Sequence, residues 1–225
     1  MRHNNFDPSL CLVTNGTVAA KRGSTVEKTV LLAVAGGATL VQIREKEMDR
    51  KKLADLVARV KPFTLAAGVP LIVNDSVETA LKVGADGAHV GQSDLAASVA
   101  RKWLGSKMIL GVSVYTVEEA LRAQAVGADY LGVGPVFATK TKTDAQPPMG
   151  MERLGIIAQA VSIPVIAIGG VVHSNAAAIV RTGIDGVAVI SAIIDQPDPA
   201  QATQILAGIV RSAKAGIGRG SLVLA

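Results

Sequence analysis

Residues 70–94 read PLIVNDSVETALKVGADGAHVGQSD, and this stretch decides the fold. Its two apolar runs, residues 70–74 and 87–90, have the composition of buried strands, and polar residues follow each run. Asp75 comes directly after the first run, and Asp94 comes shortly after the second. If the two strands are parallel neighbours, these carboxylates lie at the same edge of the sheet.

Short β-rich runs alternate with segments of helical spacing eight times along the 225 residues. Strands joined through helices run parallel, so eight such units predict one closed (β/α)8 TIM barrel with its active site at the C-terminal mouth of the strands. We predict a single domain over residues 1–214 and a flexible, glycine-rich tail over residues 215–225. The predicted strands are residues 10–14, 39–44, 70–74, 87–90, 108–113, 130–134, 164–168 and 186–190, and helical spacing is clear at 50–67, 117–126 and 175–182.

Three acidic residues precede predicted strands instead of following them. Asp86, Asp129 and Asp185 each follow a Gly-Ala or Gly-Ile pair between a helical segment and a strand. That position belongs to the N-terminal face of a barrel, where residues stabilise the fold. We therefore predict no catalytic role for these three carboxylates.

Composition excludes several classes of protein. The net charge is +5 and the pI is near 9.5, but only 3% of residues are aromatic, too few for a surface that stacks bases. The single cysteine, Cys11, excludes a disulfide framework and is predicted as core packing in a cytoplasmic protein. The low aromatic content argues against nucleic acid as a partner. No signal peptide or membrane-spanning run is evident, so we expect no membrane partner either. A homo-oligomer is compatible with the sequence, which does not define an oligomeric state.

The two carboxylates at the predicted mouth indicate a metal. Asp75 and Asp94, beside the amides of Asn74 and Gln92, offer the hard oxygen ligands that Mg²⁺ prefers while it keeps waters and binds a substrate phosphate. The predicted cofactor is therefore Mg²⁺.

Cationic residues follow the second predicted strand. Gln42, Arg44 and Lys46 alternate along an extended backbone, so their side chains should point the same way. Two cations and an amide near the predicted metal suit a diphosphate. The alternative is a solvated cluster whose charge Glu45 and Glu47 neutralise.

A long connection, residues 134–150, follows the sixth predicted strand. Such connections usually have about 2 to 6 residues, and longer ones are typically lids or binding loops. Thr139 and Thr141 supply hydroxyl donors while Lys140 and Lys142 supply positive charge, which suits a phosphate. A flexible insertion is the alternative.

The last two predicted strands end in features typical of a phosphate site. Gly169 and Gly170 follow the seventh strand, and Ile190 and Ser191 follow the eighth at the start of a helix. Bare glycine backbone and a helix N-terminus present N–H donors to an anion. We therefore predict a second phosphate site, although glycine pairs also form ordinary turns.

One hydroxyl and one imidazole need separate interpretation. Ser113 ends the fifth predicted strand and could hydrogen-bond a heterocycle, or it could be structural, and no Ser-His-Asp order activates it. His89 lies among apolar residues and is predicted as a core histidine. No set of His, Cys and acidic residues has the spacing of a zinc site.

These strand-end residues together resemble the thiamine phosphate synthase family over about residues 10–195. Any one motif is modest evidence, but six in order at successive strand ends are specific. The motifs are Gln42-Ile-Arg-Glu-Lys46, Val73-Asn-Asp75, Ala85-Asp-Gly-Ala-His-Val-Gly-Gln-Ser-Asp94, Gly111-Val-Ser113, Gly132-Val-Gly-Pro-Val-Phe-Ala-Thr-Lys-Thr-Lys142 and Ile168-Gly-Gly170.

The resemblance implies an enzyme that joins a hydroxymethylpyrimidine diphosphate to the ring nitrogen of a thiazole phosphate, releasing diphosphate. It implies Mg²⁺ on Asp75 and Asp94, and catalytic roles for Arg44, Lys46, Ser113 and Lys142. The implied contacts to the pyrimidine diphosphate come from Gln42, Ile43, Arg44, Glu45, Lys46, Asn74, Ser113 and Lys142. Those to the thiazole phosphate come from Thr139, Thr141, Gly170, Ile190 and Ser191, and Lys140 is a further substrate-binding residue. Asn15 departs from the family pattern, which commonly has an acid there.

Two other functions stay open at this point. A thiazole tautomerase on the same barrel has no diphosphate to bind, and such relatives tend to lack both metal acids and often carry His where Tyr115 stands. A non-catalytic barrel that senses a phosphorylated metabolite would need no metal. Magnesium-dependent turnover would distinguish the predicted enzyme from the sensor.

Overall fold

Eight parallel strands form a closed barrel in the computed structural model, which describes residues 6–139 and 146–216. The strands are β1 (Leu10–Val13), β2 (Leu40–Ile43), β3 (Leu71–Asn74), β4 (Gly87–Val90), β5 (Ile109–Val114), β6 (Tyr130–Val133), β7 (Val165–Ile168) and β8 (Gly186–Val189). Each strand pairs with the next, and β8 pairs with β1 to close the barrel. The predicted TIM barrel is confirmed.

Strand bounds depart from the predicted ones by no more than one residue at either end. Pro70 and Pro164 lie just outside β3 and β7 because proline has no N–H to donate. Their carbonyl oxygens still accept bonds from Val41 N at 3.1 Å and Leu131 N at 2.9 Å. The prolines therefore extend the ladders on one side only.

Helices surround the barrel. They are α1 (Gly16–Lys21), α2 (Val26–Ala35), α3 (Arg50–Ala66), α4 (Val77–Val83), α5 (Ala97–Leu104), α6 (Val117–Ala125), α7 (Gly150–Ala160), α8 (His173–Val180), α9 (Ser191–Ile194) and α10 (Pro199–Ala215). The helix predicted at 175–182 begins and ends two residues earlier, at α8. The last helix includes Ala215, the first residue of the predicted tail, and Gly216 caps it. Residues 217–225 lie outside the described part of the chain.

Side chains alternate between two cores, as the pleat of a strand requires. Those on the outer face of the strands pack against the helices in one large apolar cluster. Those pointing inward form a smaller cluster that fills the barrel, and it includes Cys11, Leu40, Ile72, Tyr130 and Ile166. Burial raises the pKa of the Cys11 thiol to about 12, consistent with its predicted role in packing.

The three excluded aspartates stabilise the N-terminal face of the barrel. Each accepts a 2.8 Å hydrogen bond from a backbone N–H near the start of the preceding strand. The pairs are Asp86 with Leu71, Asp129 with Leu110, and Asp185 with Val165. Asp129 also forms a salt bridge with Arg101. These contacts account for the recurring Gly-x-Asp motif and leave the opposite face for the site.

Candidate active site

The C-terminal ends of the strands surround a cavity of about 930 Å³. This volume lies in the range of small-molecule sites. Of the predicted site residues, those that line the cavity are Gln42, Arg44, Lys46, Asn74, Asp75, Asp94, Ser113, Thr139, Gly170, Ile190 and Ser191. Lys140, Thr141 and Lys142 lie outside the described residues, and their roles stay predictions.

Alternation after β2 places three side chains in the cavity and directs two elsewhere. Gln42, Arg44 and Lys46 line the cavity as the spacing predicted. Ile43 points the other way and is buried between the barrel and the helices, so it offers a ligand only its backbone. Glu45 lines a smaller neighbouring cavity, away from the position predicted for substrate contact.

The Glu45 carboxylate connects the first two strand ends. It accepts hydrogen bonds from Thr14 Oγ1 at 2.7 Å and from Gly16 N at 2.8 Å. Thr14 Oγ1 in turn accepts from Arg44 N at 3.0 Å. Asn15, where the family commonly has an acid, accepts from Val18 N at 3.0 Å and caps α1. The carboxylate and the amide therefore hold this part of the mouth in place.

Asp75 has an unusual backbone conformation. Its φ is 65°, the one positive value at a non-glycine residue in the described part of the chain. Ser76 N donates to Asn74 O at 2.8 Å across it, which together with the positive φ defines a γ-turn, a strained conformation. Asp75 N donates to His89 O at 2.8 Å, and Ser76 caps α4 by accepting from Thr79 N. These bonds hold the Asp75 carboxylate at the mouth.

Asp75 and Asp94 form a coupled pair of carboxylates. Burial, a hydrogen bond with Asp94 and the charge of Asp94 raise the pKa of Asp75 to about 6, while Lys46 and Arg44 act in the opposite direction. Asp94 is positioned by Gly91 N, which donates to its Oδ2 at 2.7 Å. Two neighbouring acidic side chains, one of them with a raised pKa, suit a divalent cation, which would neutralise both.

The oxygen donors fit Mg²⁺ better than a softer metal. Within residues 6–139 and 146–216, no three His, Cys, Asp or Glu side chains are grouped as a metal cluster. Mg²⁺ needs only one or two carboxylates because waters and substrate phosphates complete its octahedron. The Gln92 amide, predicted beside the metal, lines the same cavity as the two acids, and its Nε2 donates to Ser113 O at 2.7 Å.

His89 lies inside the barrel and contacts a predicted site residue, Ser113. His89 is buried as predicted, but its Nε2 lies 2.7 Å from Ser113 Oγ and its Nδ1 lies 3.0 Å from the Tyr130 hydroxyl. Gly111 provides the room, since a Cβ there would lie 2.2 Å from Tyr130 Cζ and 2.4 Å from His89 Nδ1. The sequence pattern did not predict this contact, and the available signal was Gly111 on the strand that follows His89.

The glycine pair after β7 allows the β6–α7 connection to approach. Gly169 O accepts from Phe137 N at 3.0 Å. A Cβ on Gly170, whose φ is 68°, would lie 2.6 Å from Phe137 Cβ. At the other end of the connection, the Tyr115 hydroxyl donates to Pro147 O at 3.0 Å. The glycines therefore have a packing role, and Thr139 lies in the same cavity.

The fold and this mouth define a single-barrel protein with a polar, cation-lined site for an anionic small molecule. The family described as thiamine monophosphate synthase matches residues 10–193, and the chain belongs to that family. The described helices include none with the length and hydropathy of a membrane span.

Curated relatives and a solved structure agree with this family. The chain is 46% identical to the thiamine-phosphate synthase of Chloroflexus aurantiacus, covering 91% of this chain and 93% of the relative. It is 50% identical to that of Ruminiclostridium cellulolyticum, covering 86% and 90%. The thiamine phosphate pyrophosphorylase of Pyrococcus furiosus superposes with a TM-score of 0.83 at 36% identity, covering 92% and 97%.

The raised pKa of Asp75 predicts a stability change in Asp75→Asn. The folded, metal-free protein favours the protonated carboxyl, so its stability falls as pH rises from about 4 through about 6. Asparagine keeps a hydrogen-bond donor toward Asp94 and tolerates the positive φ. We expect the variant in chelator near pH 8 to melt about 2–4 °C above the wild type, a shift of roughly 1 kcal/mol after solvent screening, with no difference near pH 4.

Asp75→Ala is the matched control, measured by the same thermal unfolding series. It also removes the charge but should be less stable than Asp75→Asn, since alanine is strained at this φ by roughly 1 kcal/mol. An asparagine variant that melts below the wild type near pH 8 would contradict the coupled pair.

Proposed function

We propose that the protein condenses 4-amino-5-hydroxymethyl-2-methylpyrimidine diphosphate with a thiazole phosphate, giving thiamine phosphate and diphosphate in thiamine biosynthesis. The family match over residues 10–193 supports this activity. The observation that carries it is the coupled pair of Asp75 and Asp94 beside Arg44 and Lys46 in one cavity. A tautomerase has no diphosphate to hold, and a sensor needs no metal pair, so neither accounts for this grouping.

In this proposal, Asp75 and Asp94 hold Mg²⁺. The bound ion would supply positive charge to a departing diphosphate, which is the chemistry that a hard cation offers. The hydrogen bond between the two side chains, which helps to raise the pKa of Asp75, supports the assignment because it brings both to one position.

Two groups of side chains would divide the cavity between the substrates. Those after β2, β3 and β5 face the pyrimidine diphosphate: Gln42, Arg44, Lys46, Asn74 and Ser113, joined by the predicted Lys142. Those after β6, β7 and β8 face the thiazole phosphate: Thr139, Gly170, Ile190 and Ser191, joined by the predicted Thr141. Because Ile43 and Glu45 are engaged elsewhere, only their backbone would reach a substrate.

The proposed substitution breaks the bond between the pyrimidine methylene carbon and the diphosphate oxygen, whose electron pair leaves with diphosphate. The thiazole nitrogen then forms a bond to that carbon. This nitrogen carries no proton, so the reaction needs no general base. Arg44 and Lys46 stabilise the leaving group electrostatically, and the electron-rich aminopyrimidine bears the positive charge between the two events. A cytoplasmic location and a homo-oligomer stay predictions.

Product formation tests the function directly. Both substrates mixed with the protein and Mg²⁺ should yield thiamine phosphate, detected by chromatography. Asp75→Asn and Asp94→Asn should each lose roughly a hundredfold or more in turnover, because the leaving group would lose its cation. The control is Asp86→Asn on the opposite face, which should retain turnover. Wild-type protein that makes no product, or makes it equally well in chelator, would contradict the proposal.

Substituent effects test the order of bond breaking. Electron-withdrawing groups on the pyrimidine should slow the chemical step by orders of magnitude while changing binding little, because they destabilise a cationic intermediate. Single-turnover rates across such analogues provide the measurement. Rates that are indifferent to the substituent would indicate direct displacement by the thiazole nitrogen.

A further inference from the structure

Four polar side chains form a hydrogen-bonded chain through the barrel interior. Gln42 Nε2 lies 3.4 Å from the Tyr130 hydroxyl, which lies 3.0 Å from His89 Nδ1. His89 Nε2 lies 2.7 Å from Ser113 Oγ at the floor of the cavity. Gln42, Tyr130 and His89 are each no more than 5% exposed. Only small parts of these three side chains therefore reach the cavity that they line.

The order of donors in this chain follows from its first member. An amide nitrogen can only donate, so Gln42 Nε2 donates to the Tyr130 oxygen. The buried phenol needs an acceptor for its own proton, and burial raises its pKa well above the usual value, so it stays protonated. The acceptor at hand is His89 Nδ1. That nitrogen therefore carries no proton, and Nε2 of the imidazole carries one.

The proton on His89 Nε2 determines the hydrogen-bonding role of Ser113. Nε2–H donates to Ser113 Oγ, which leaves the serine proton for an acceptor in the cavity. The imidazole in this tautomer cannot remove the serine proton, so the 2.7 Å contact is not that of an activated nucleophile.

We propose that His89 is a positioning residue that fixes Ser113 as a hydrogen-bond donor to a ring nitrogen of the heterocyclic substrate. This inference rests on the proposed function, because the pyrimidine supplies the acceptor nitrogen. The role concerns recognition and orientation, since a donor on a ring nitrogen does not help that ring to bear positive charge. Tyr130 acts one step further back by selecting the tautomer of His89.

Nitrogen-15 NMR of the imidazoles tests the donor order without any substrate. The chain has three histidines, so the signals of His89 can be identified by comparison with His89→Phe. We expect a protonated Nε2 and an unprotonated Nδ1 near neutral pH, and a mixture of tautomers in Tyr130→Phe. A wild-type His89 with its proton on Nδ1 would overturn the proposal.

Binding of unreactive ligands tests the consequence for recognition. The probes are 4-amino-5-hydroxymethyl-2-methylpyrimidine monophosphate and two pyridine analogues, in each of which a C–H replaces one ring nitrogen. By calorimetry, one analogue should bind the wild type about tenfold more weakly than the pyrimidine, the value of one good hydrogen bond. Ser113→Ala should bind that analogue and the pyrimidine equally.

Two His89 variants separate positioning from packing. His89→Phe keeps a ring but has no Nε2–H, and its discrimination should fall below about threefold. His89→Gln offers an amide donor toward Ser113 and should recover most of it. Thermal unfolding checks that each variant folds; if His89→Phe does not, Tyr130→Phe should show a partial loss of discrimination.

The outcomes distinguish this inference from the function on which it rests. Full discrimination in a folded His89→Phe would overturn the positioning role alone, as would wild-type binding that ignores both ring nitrogens. A wild-type protein that binds no pyrimidine phosphate and makes no thiamine phosphate would overturn the inference together with the proposed function.

Discussion

Closure of the parallel barrel is the constraint on which the rest of the molecule depends. Pairing of β1 with β8, in which Leu10 lies opposite Val187, brings the two ends of the sheet together. Every strand then points its C-terminal end at the same mouth, so residues far apart in sequence share one cavity. Alternation along each strand decides which side chains enter it. Gln42 points inward, whereas its neighbour Ile43 packs against the helices.

Asp75, at the mouth of the barrel, has unfavourable local features that contacts with the rest of the fold stabilise. Asp75 sits in a γ-turn with positive φ, and its partly buried carboxyl has a pKa raised to about 6. The turn opposes stability at every pH, and ionisation of this carboxyl opposes it in the metal-free protein as pH rises through about 6. The β3–β4 ladder, the bond from Asp75 N to His89 O and the Ser76 cap of α4 oppose that cost. These contacts fix the position of the Asp75 carboxyl at the mouth.

Periodicity predicted most of the architecture, because strand and helix spacing are local properties of the chain. The predicted strand ends lie within one residue of the observed ones. They placed one set of residues at a single mouth: Asp75, Asp94 and the alternating Gln42, Arg44 and Lys46. Contacts between distant residues could not be read in this way. Glu45 binds Thr14, 31 residues away, and His89 meets Tyr130 across 41 residues. The γ-turn also escaped prediction, since Asn-Asp-Ser does not specify a positive φ.

We propose that Asp75 and Asp94 form a cation site whose occupancy depends on the protonation state of Asp75. The most direct measurement is the rise in melting temperature caused by Mg²⁺ at a fixed concentration, followed as a function of pH. A cation that binds only the folded state raises the melting temperature, and protons compete for the Asp75 carboxyl at pH values below about 6. We expect a rise that grows between about pH 5 and pH 7 and is absent in Asp75→Asn. An equal rise in that variant, or a rise independent of pH, would contradict the proposed cation site.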